Sequence, residues 1–303
     1  MKTLIFTIFF IALGYFSSQK EPTASVLLEE NFEDKRDLYE SNWWNRSGND
    51  KALIQDLVSR EGNKAARFEV ELTEDGDFRS ELAVAEGNPS PRHYQMGQEY
   101  WYGFSIYPEK NMVTSPVSEI VLQFHSTPDN IPGETWSSGL NPPIALACNG
   151  ARWQLTVRGD DKQVTTKPDY LFETTADLGP AQQGQWTDWV FNIKWNYDGN
   201  GFLKIWKNGK MVYYLESPNT FNDKKGPYLK LGVYAFYLRR PGSDYWLKAK
   251  AAGVNQRIYC HDALRIVNSS GDCNQVSPAD RDCESENAVL KINWKTIAKK
   301  ENE

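Results

Sequence analysis

Hydrophobic and polar residues alternate with a period of two along most of this chain, the pattern of strands with one face in a core. The clearest case is Tyr228-Leu229-Lys230-Leu231-Gly232-Val233-Tyr234. As a strand it presents Tyr228, Lys230, Gly232 and Tyr234 on one face and Leu229, Leu231 and Val233 on the other. The same reading predicts strands over Val26–Phe32, Ala66–Leu72, Phe78–Val84, Glu99–Tyr107 and Glu119–His125. It continues over Ile144–Ala147, Arg152–Arg158, Trp186–Trp195, Phe202–Lys207, Lys210–Glu216, Tyr228–Tyr237 and Ile258–Val267. Asn208-Gly209 between two of these runs is a strong hairpin signal. No long helix is evident. Two stretches, Ser126–Pro143 and Pro241–Asn255, are long and irregular, as binding loops on a β scaffold are. The expected fold is all-β: a two-sheet jelly-roll sandwich of the concanavalin-like kind with a concave groove.

The chain opens with Lys2, an apolar run from Leu4 to Phe16 and the small residues Ser17 and Ser18. This is the pattern of an export signal, and the run is too short for a membrane span, which needs ~20 residues. The expected organisation is a signal peptide over 1–18, one domain over 19–285 and a polar tail over 286–303. A monomer that is secreted or periplasmic is expected.

Of four cysteines, Cys260, Cys273 and Cys283 lie close together and Cys148 stands apart. Export permits disulfides, and one bridge is expected among the last three. The net charge of −6 argues against nucleic-acid binding, which wants a basic face, but leaves room for a local cationic cleft. Eleven Trp and fifteen Tyr favour strands, and those at the surface can stack on sugar faces.

Alternation also sorts the chemistry. It sets Arg79 beside Glu81, Gln123 beside His125, and Lys230 beside Tyr234, each pair opposite apolar neighbours. If these strands adjoin on one concave sheet, the groups converge. That set suits β-elimination on a uronate polymer. Arg79 can clamp a carboxylate with its planar fork and Gln123 can donate a second hydrogen bond, so the enolate-like charge is stabilised. His125 and Tyr234 can supply the base and the acid, and the residues alone do not decide which is which. Glu81 reads as the group that orients the arginine. Glu81, with Tyr228, Lys230, Arg239 and Trp136, is also a candidate substrate contact.

These segments resemble the signature strands of jelly-roll polysaccharide lyases. Arg79-Ser80-Glu81-Leu82, Gln123-Phe124-His125 and Tyr228 to Tyr234 are similar to the R-S/T-E, Q-x-H and Y-x-K-x-G-x-Y elements of alginate lyases. The wider spacing, with Glu99 to Tyr107 and Asn141-Pro142-Pro143-Ile144, resembles the heparin lyase I and glucuronan lyase group. The resemblance spans roughly residues 25–268. It implies Arg79 and Gln123 as carboxylate neutralisers, His125 and Tyr234 as the proton-transfer pair and Lys230 as a substrate contact. Ala83 and Ala235-Phe236 stand where the alginate-lyase pattern usually has a basic residue and Asn-Gln. Basic cleft candidates stop at Arg158, Arg239-Arg240, Lys248 and Lys250, which favours an unsulfated or lightly sulfated substrate.

A non-catalytic carbohydrate-binding sandwich or lectin is the alternative, needing no acid or base. A sandwich hydrolase would set paired carboxylates on one strand, and no such strand is found. No cofactor is required for the chemistry. A structural calcium at Asp160-Asp161 or Asp272 is conceivable, without any EF-hand-like spacing. His261 beside Asp262 reads as structural, His93 as an exposed loop residue, and Trp246 as either a sugar platform or a loop anchor.

Overall fold

The computed structural model describes residues 24–34, 38, 44–48, 52–74, 78–84, 94–138, 140–278, 280–285 and 289–300. The expected export signal and His93 lie outside these residues. The chain runs through β1 (Val26–Glu30), β2 (Trp44–Gly48), β3 (Leu53–Gln55), β4 (Ala65–Glu71), β5 (Arg79–Val84) and β6 (Glu99–Pro108). It continues with β7 (Glu119–Thr127), β8 (Ile144–Asn149), β9 (Arg152–Gly159), β10 (Phe172–Pro180), β11 (Thr187–Lys194) and β12 (Phe202–Lys207). The last elements are β13 (Lys210–Glu216), β14 (Lys225–Tyr234), α1 (Asp244–Ala251), β15 (Gln256–Asn268), α2 (Cys273–Val276), β16 (Ile292–Asn293) and α3 (Trp294–Lys300).

Among the described residues the strands form two sheets. One has nine strands in the order β16-β13-β12-β11-β6-β15-β4-β3, with β1 also on β15; the other has seven in the order β10-β9-β8-β7-β14-β5-β2. Their facing sides bury one core that includes Phe68, Tyr102, Phe104, Leu122, Phe124, Trp153, Trp189, Phe191, Leu229, Leu231 and Val233. Burying such side chains is the main favourable term in folding. The expected two-sheet jelly roll is therefore present. The Asn208-Gly209 hairpin joins β12 to β13, and both residues take positive φ (50° and 77°), as a type I′ turn requires.

The nine-stranded sheet is apolar on its outer face too. Trp101, Val190, Trp206, Met211 and Val267 form a second cluster there, covered by Cys273 and Val276 of α2. Gly103 in β6 makes this docking possible, because a Cβ at that position would lie 1.8 Å from the Val276 carbonyl oxygen. The covering segment is closed by a Cys273–Cys283 disulfide. One bridge among the last three cysteines was expected, and this is it; Cys148 and Cys260 are free and buried.

Most strand boundaries follow the alternation, with differences at weakly patterned places. β14 starts three residues earlier than expected, and the segment after Tyr234 leaves the sheet as a 3₁₀ turn over Phe236–Arg239. β2, β3 and β10 were not anticipated. β10 is an edge strand with Glu173, Thr174, Thr175 and Asp177 in its middle, half exposed, without an apolar stripe. α1 lies inside the stretch read as irregular, capped by the Ser243 hydroxyl, which accepts from Trp246 N.

The disulfide closes a short loop, so its removal should cost about 2–3 kcal/mol by chain entropy. Replacing Cys273 and Cys283 together by Ser should lower the calorimetric melting temperature, and reductant should then have no further effect. An unchanged melting temperature would mean that the flap holds to the sheet without its staple.

Candidate active site

The seven-stranded sheet carries a groove on its open face, with a volume of about 700 Å³. Its floor draws on β5, β14, β7, β8 and β9, so it runs across the strands. One wall is the β14–β15 connection, with Phe236, Tyr237, Arg239, Arg240, Ser243 and Tyr245. The opposite wall is the β7–β8 connection, with Pro128, Thr135, Trp136, Leu140, Asn141 and Pro142. The second wall falls in the stretch Ser126–Pro143 expected to border a site; of the first, Ser243 and Tyr245 fall in the expected stretch Pro241–Asn255, and Phe236 to Arg240 precede it.

The three signature segments are neighbours in the order β7-β14-β5. Register puts Tyr228 opposite His125 and Lys230 opposite Gln123, and Gly232 opposite Glu81 and Tyr234 opposite Arg79. Directly opposed residues share a face. Arg79, Gln123, His125 and Tyr234 all line the groove.

Two bulges adjust this alignment. The register of β7 against β8 shifts between Ile120 and Leu122. That of β14 against β7 shifts between Leu231 and Tyr234. Bulges bend a strand and re-aim side chains. Gly232, at φ 134°, occupies the second one; a Cβ there would come within 2.2 Å of the Ser80 carbonyl oxygen. From the far side of the core His261 reaches the Gly232 carbonyl through Nε2 at 3.3 Å. Burial pushes its pKa down to about 3, against the raising effect of that hydrogen bond, so it stays neutral. His261 is structural, as expected.

Beneath the groove floor lies a buried ionic cluster centred on Glu81. Lys230 Nζ donates to Glu81 Oε2 at 2.6 Å, Gln123 Nε2 donates to Glu81 Oε1 at 2.5 Å, and Arg79 Nε lies 3.2 Å from Glu81 Oε2. Glu81 is 2% exposed and Lys230 4% exposed. Burial lowers the Lys230 pKa, Arg79 adds to the lowering, and Glu81 opposes it. Lys230, Glu81 and Tyr228, read from sequence as substrate contacts, are therefore placed in the layer that supports the floor. The Gln123 amide spends one N–H on Glu81 and keeps a second. The Arg79 guanidinium carbon also sits 4.3 Å from the Tyr234 ring centroid, a cation–π contact that holds both side chains.

His125 is fixed by its other nitrogen. Nδ1 lies 2.7 Å from the Ser126 carbonyl oxygen. A carbonyl only accepts, so Nδ1 carries the proton and the neutral ring keeps its lone pair on Nε2. Burial lowers the His125 pKa, with further lowering from Lys230 and Arg79; the Ser126 carbonyl and Glu81 act the other way. The ring is flanked by Trp136, with centroids 5.9 Å apart, and by Tyr228, at 5.7 Å. Trp136 is 52% exposed at the groove, as a sugar platform would be. Trp246 is buried and anchors its loop.

The groove also recruits Arg158, Lys167, Arg239 and Arg240, and among the described residues no Asp or Glu lines it. Arg158, Arg239 and Arg240 were among the expected basic cleft residues; Lys167 was not. Arg158 sits on β9, whose alternation was legible, but nothing in its spacing revealed how far the floor extends. Lys248 and Lys250 do not line the groove. Asp272 caps α2 by accepting from Gln275 N, and Asp160 accepts from Lys162 N. Among the described residues there is no group of three or more His, Cys, Asp or Glu side chains able to hold a metal ion.

Comparison with known proteins now adds to this geometry. In structure the chain is similar to the endo-β-1,4-glucuronan lyase of the fungus Trichoderma reesei, with a TM-score of 0.60 at 20% identity over 81% of this chain and 98% of that one. It also matches an alginate lyase of polysaccharide lyase family 7, AlgAT5, with a TM-score of 0.44 at 13% identity over 74% of this chain and 85% of that one. At these identities the first likeness speaks to the fold. No curated protein sequence matches the chain. A family model described as polysaccharide lyase matches residues 37–262. That match covers most of the chain, which therefore belongs to the polysaccharide lyase family and is an enzyme of that kind.

Proposed function

We propose that this lyase is secreted or periplasmic and cuts a 4-linked uronate polymer by β-elimination in the groove. The observation that carries the reading is the convergence of Arg79, Gln123, His125 and Tyr234 on one groove that no carboxylate lines among the described residues. Arg79 and the second N–H of Gln123 bind the C6 carboxylate and stabilise the charge that develops when C5 loses its proton. His125 Nε2 takes that proton. The electron pair forms the C4–C5 double bond, the C4–O4 bond breaks, and the Tyr234 hydroxyl protonates the departing O4. The substrate is a polyuronate with little or no sulfate, because part of the groove's positive charge is already met by protein: Arg79 pairs with Glu81 and Arg158 with Glu173. The fold shared with a glucuronan lyase puts glucuronan first among the candidates.

A panel of glucuronan, alginate and heparan-type polymers should identify at least one from which the enzyme releases unsaturated, ultraviolet-absorbing ends. Arg79→Ala, His125→Ala and Tyr234→Phe should each lower turnover by roughly 10³-fold. Full activity in Tyr234→Phe would remove the phenol from the proton-transfer pair.

The base must be neutral to act. A lowered His125 pKa therefore predicts that the acid limb of kcat/KM rises with pH through a midpoint below 6.5. An acid limb centred well above 6.5 would contradict His125 as the base.

A further inference from the structure

The groove does not end at its floor. A second cavity of about 490 Å³ adjoins it between the β7–β8 and β9–β10 connections, lined by Gly133, Ser138, Leu140, Thr165, Thr166, Lys167 and Pro168. Leu140 and Lys167 line both spaces, so they are continuous. Among the described residues no Asp or Glu lines either one.

We infer that this side cavity is an outer subsite that binds a second carboxylate-bearing sugar of the same polymer chain, with Lys167 as its cation. The inference rests on the polyuronate reading above. Distance requires a separate sugar. In the sheet, β9 stands three strands from β14, and at ~4.8 Å per strand this is about 14 Å. Groups at the β9 side therefore cannot serve the carboxylate held by Arg79 on β5, one strand further still. Arg158 marks that side of the floor. Glu173, at 2.9 Å, and the Pro142 carbonyl, at 2.9 Å, hold its guanidinium in place, which leaves Lys167 as the cation common to floor and cavity.

The cavity is built in advance. Glu134, fully buried, accepts from Thr165 N at 3.0 Å, tying one loop to the other. Tyr170 stacks on Phe221, with centroids 5.4 Å apart, and its hydroxyl accepts from Asn141 N at 3.4 Å. A preformed pocket spares the ligand the cost of ordering loops. Its hydroxyls from Ser138 and Thr166 and its single cation match a sugar with one carboxylate.

The test uses the full-length enzyme, the polyuronate it cleaves and length-defined oligosaccharides of that polymer. Lys167→Ala should lower kcat/KM on the polymer roughly tenfold, mainly through KM, and the loss should grow with chain length. Thr166→Trp, which fills the cavity without changing a charge, should give the same length dependence. Electrophoresis through gels containing each polyuronate reads binding without turnover, and both variants should be retarded less than wild type. Equal kinetics at every length together with equal retardation would overturn the subsite. If wild type released no unsaturated ends but the variants still lost retardation, the elimination reading would fail and the subsite would stand.

Discussion

The groove depends on one buried carboxylate. Glu81 receives Lys230, Gln123 and Arg79, which come from three separate strands. Burying charge is costly unless it is paired, and removing one partner of such a cluster costs about 3–5 kcal/mol because the other is left uncompensated. The arrangement is therefore close to all-or-none. With Glu81 present, β7, β14 and β5 hold one register and one face. Without it Lys230 would be a desolvated cation under the floor, pushing on Arg79 and His125. The same carboxylate thus orients Arg79 and compensates the ammonium that helps keep His125 neutral.

A second buried cluster does the same for the wall. Glu119, at the start of β7, accepts from Arg257 Nε at 2.7 Å, from Tyr259 at 2.5 Å and from Tyr237 at 3.0 Å. Tyr237 follows Tyr234 by three residues and lines the groove. The network ties the nine-stranded sheet, the seven-stranded sheet and the turn after β14 at one point. It explains how a connection with an exposed face keeps a defined position beside Tyr234.

Much of this was legible in the chain, and for a physical reason. Period-two patterning survives wherever a strand has one face in the core, and it put Arg79, Gln123, His125 and Tyr234 on groove-facing positions. It failed where the period itself breaks. Alternation would set Val121 with Gln123, yet the bulge turns Val121 into the core and leaves Ile120 facing the groove. It also could not tell floor from underlayer. Lys230 and Tyr228 have the phase of groove residues, but neighbours from two flanking strands close over them, and burial depends on those long-range contacts. β10 was unreadable because an edge strand needs no apolar stripe. Lys167 was unreadable because its role comes from two loops meeting.

Net charge misleads about such a molecule if taken whole. The chain is acidic, with a formal charge of −6, yet its groove is lined by Arg79, Arg158, Lys167, Arg239 and Arg240 and, among the described residues, by no carboxylate. Field lines focus in a cleft with low-dielectric walls, so the local sign decides which polymer enters. The acidic exterior then has a use of its own. On the proposed reading, a net acidic body would discourage unproductive adsorption of a polyanion outside the groove. The proposed preference for a modestly charged polymer rests on the same balance, because Glu81 and Glu173 pair with two of the five cations and would soften the attraction for a densely charged chain.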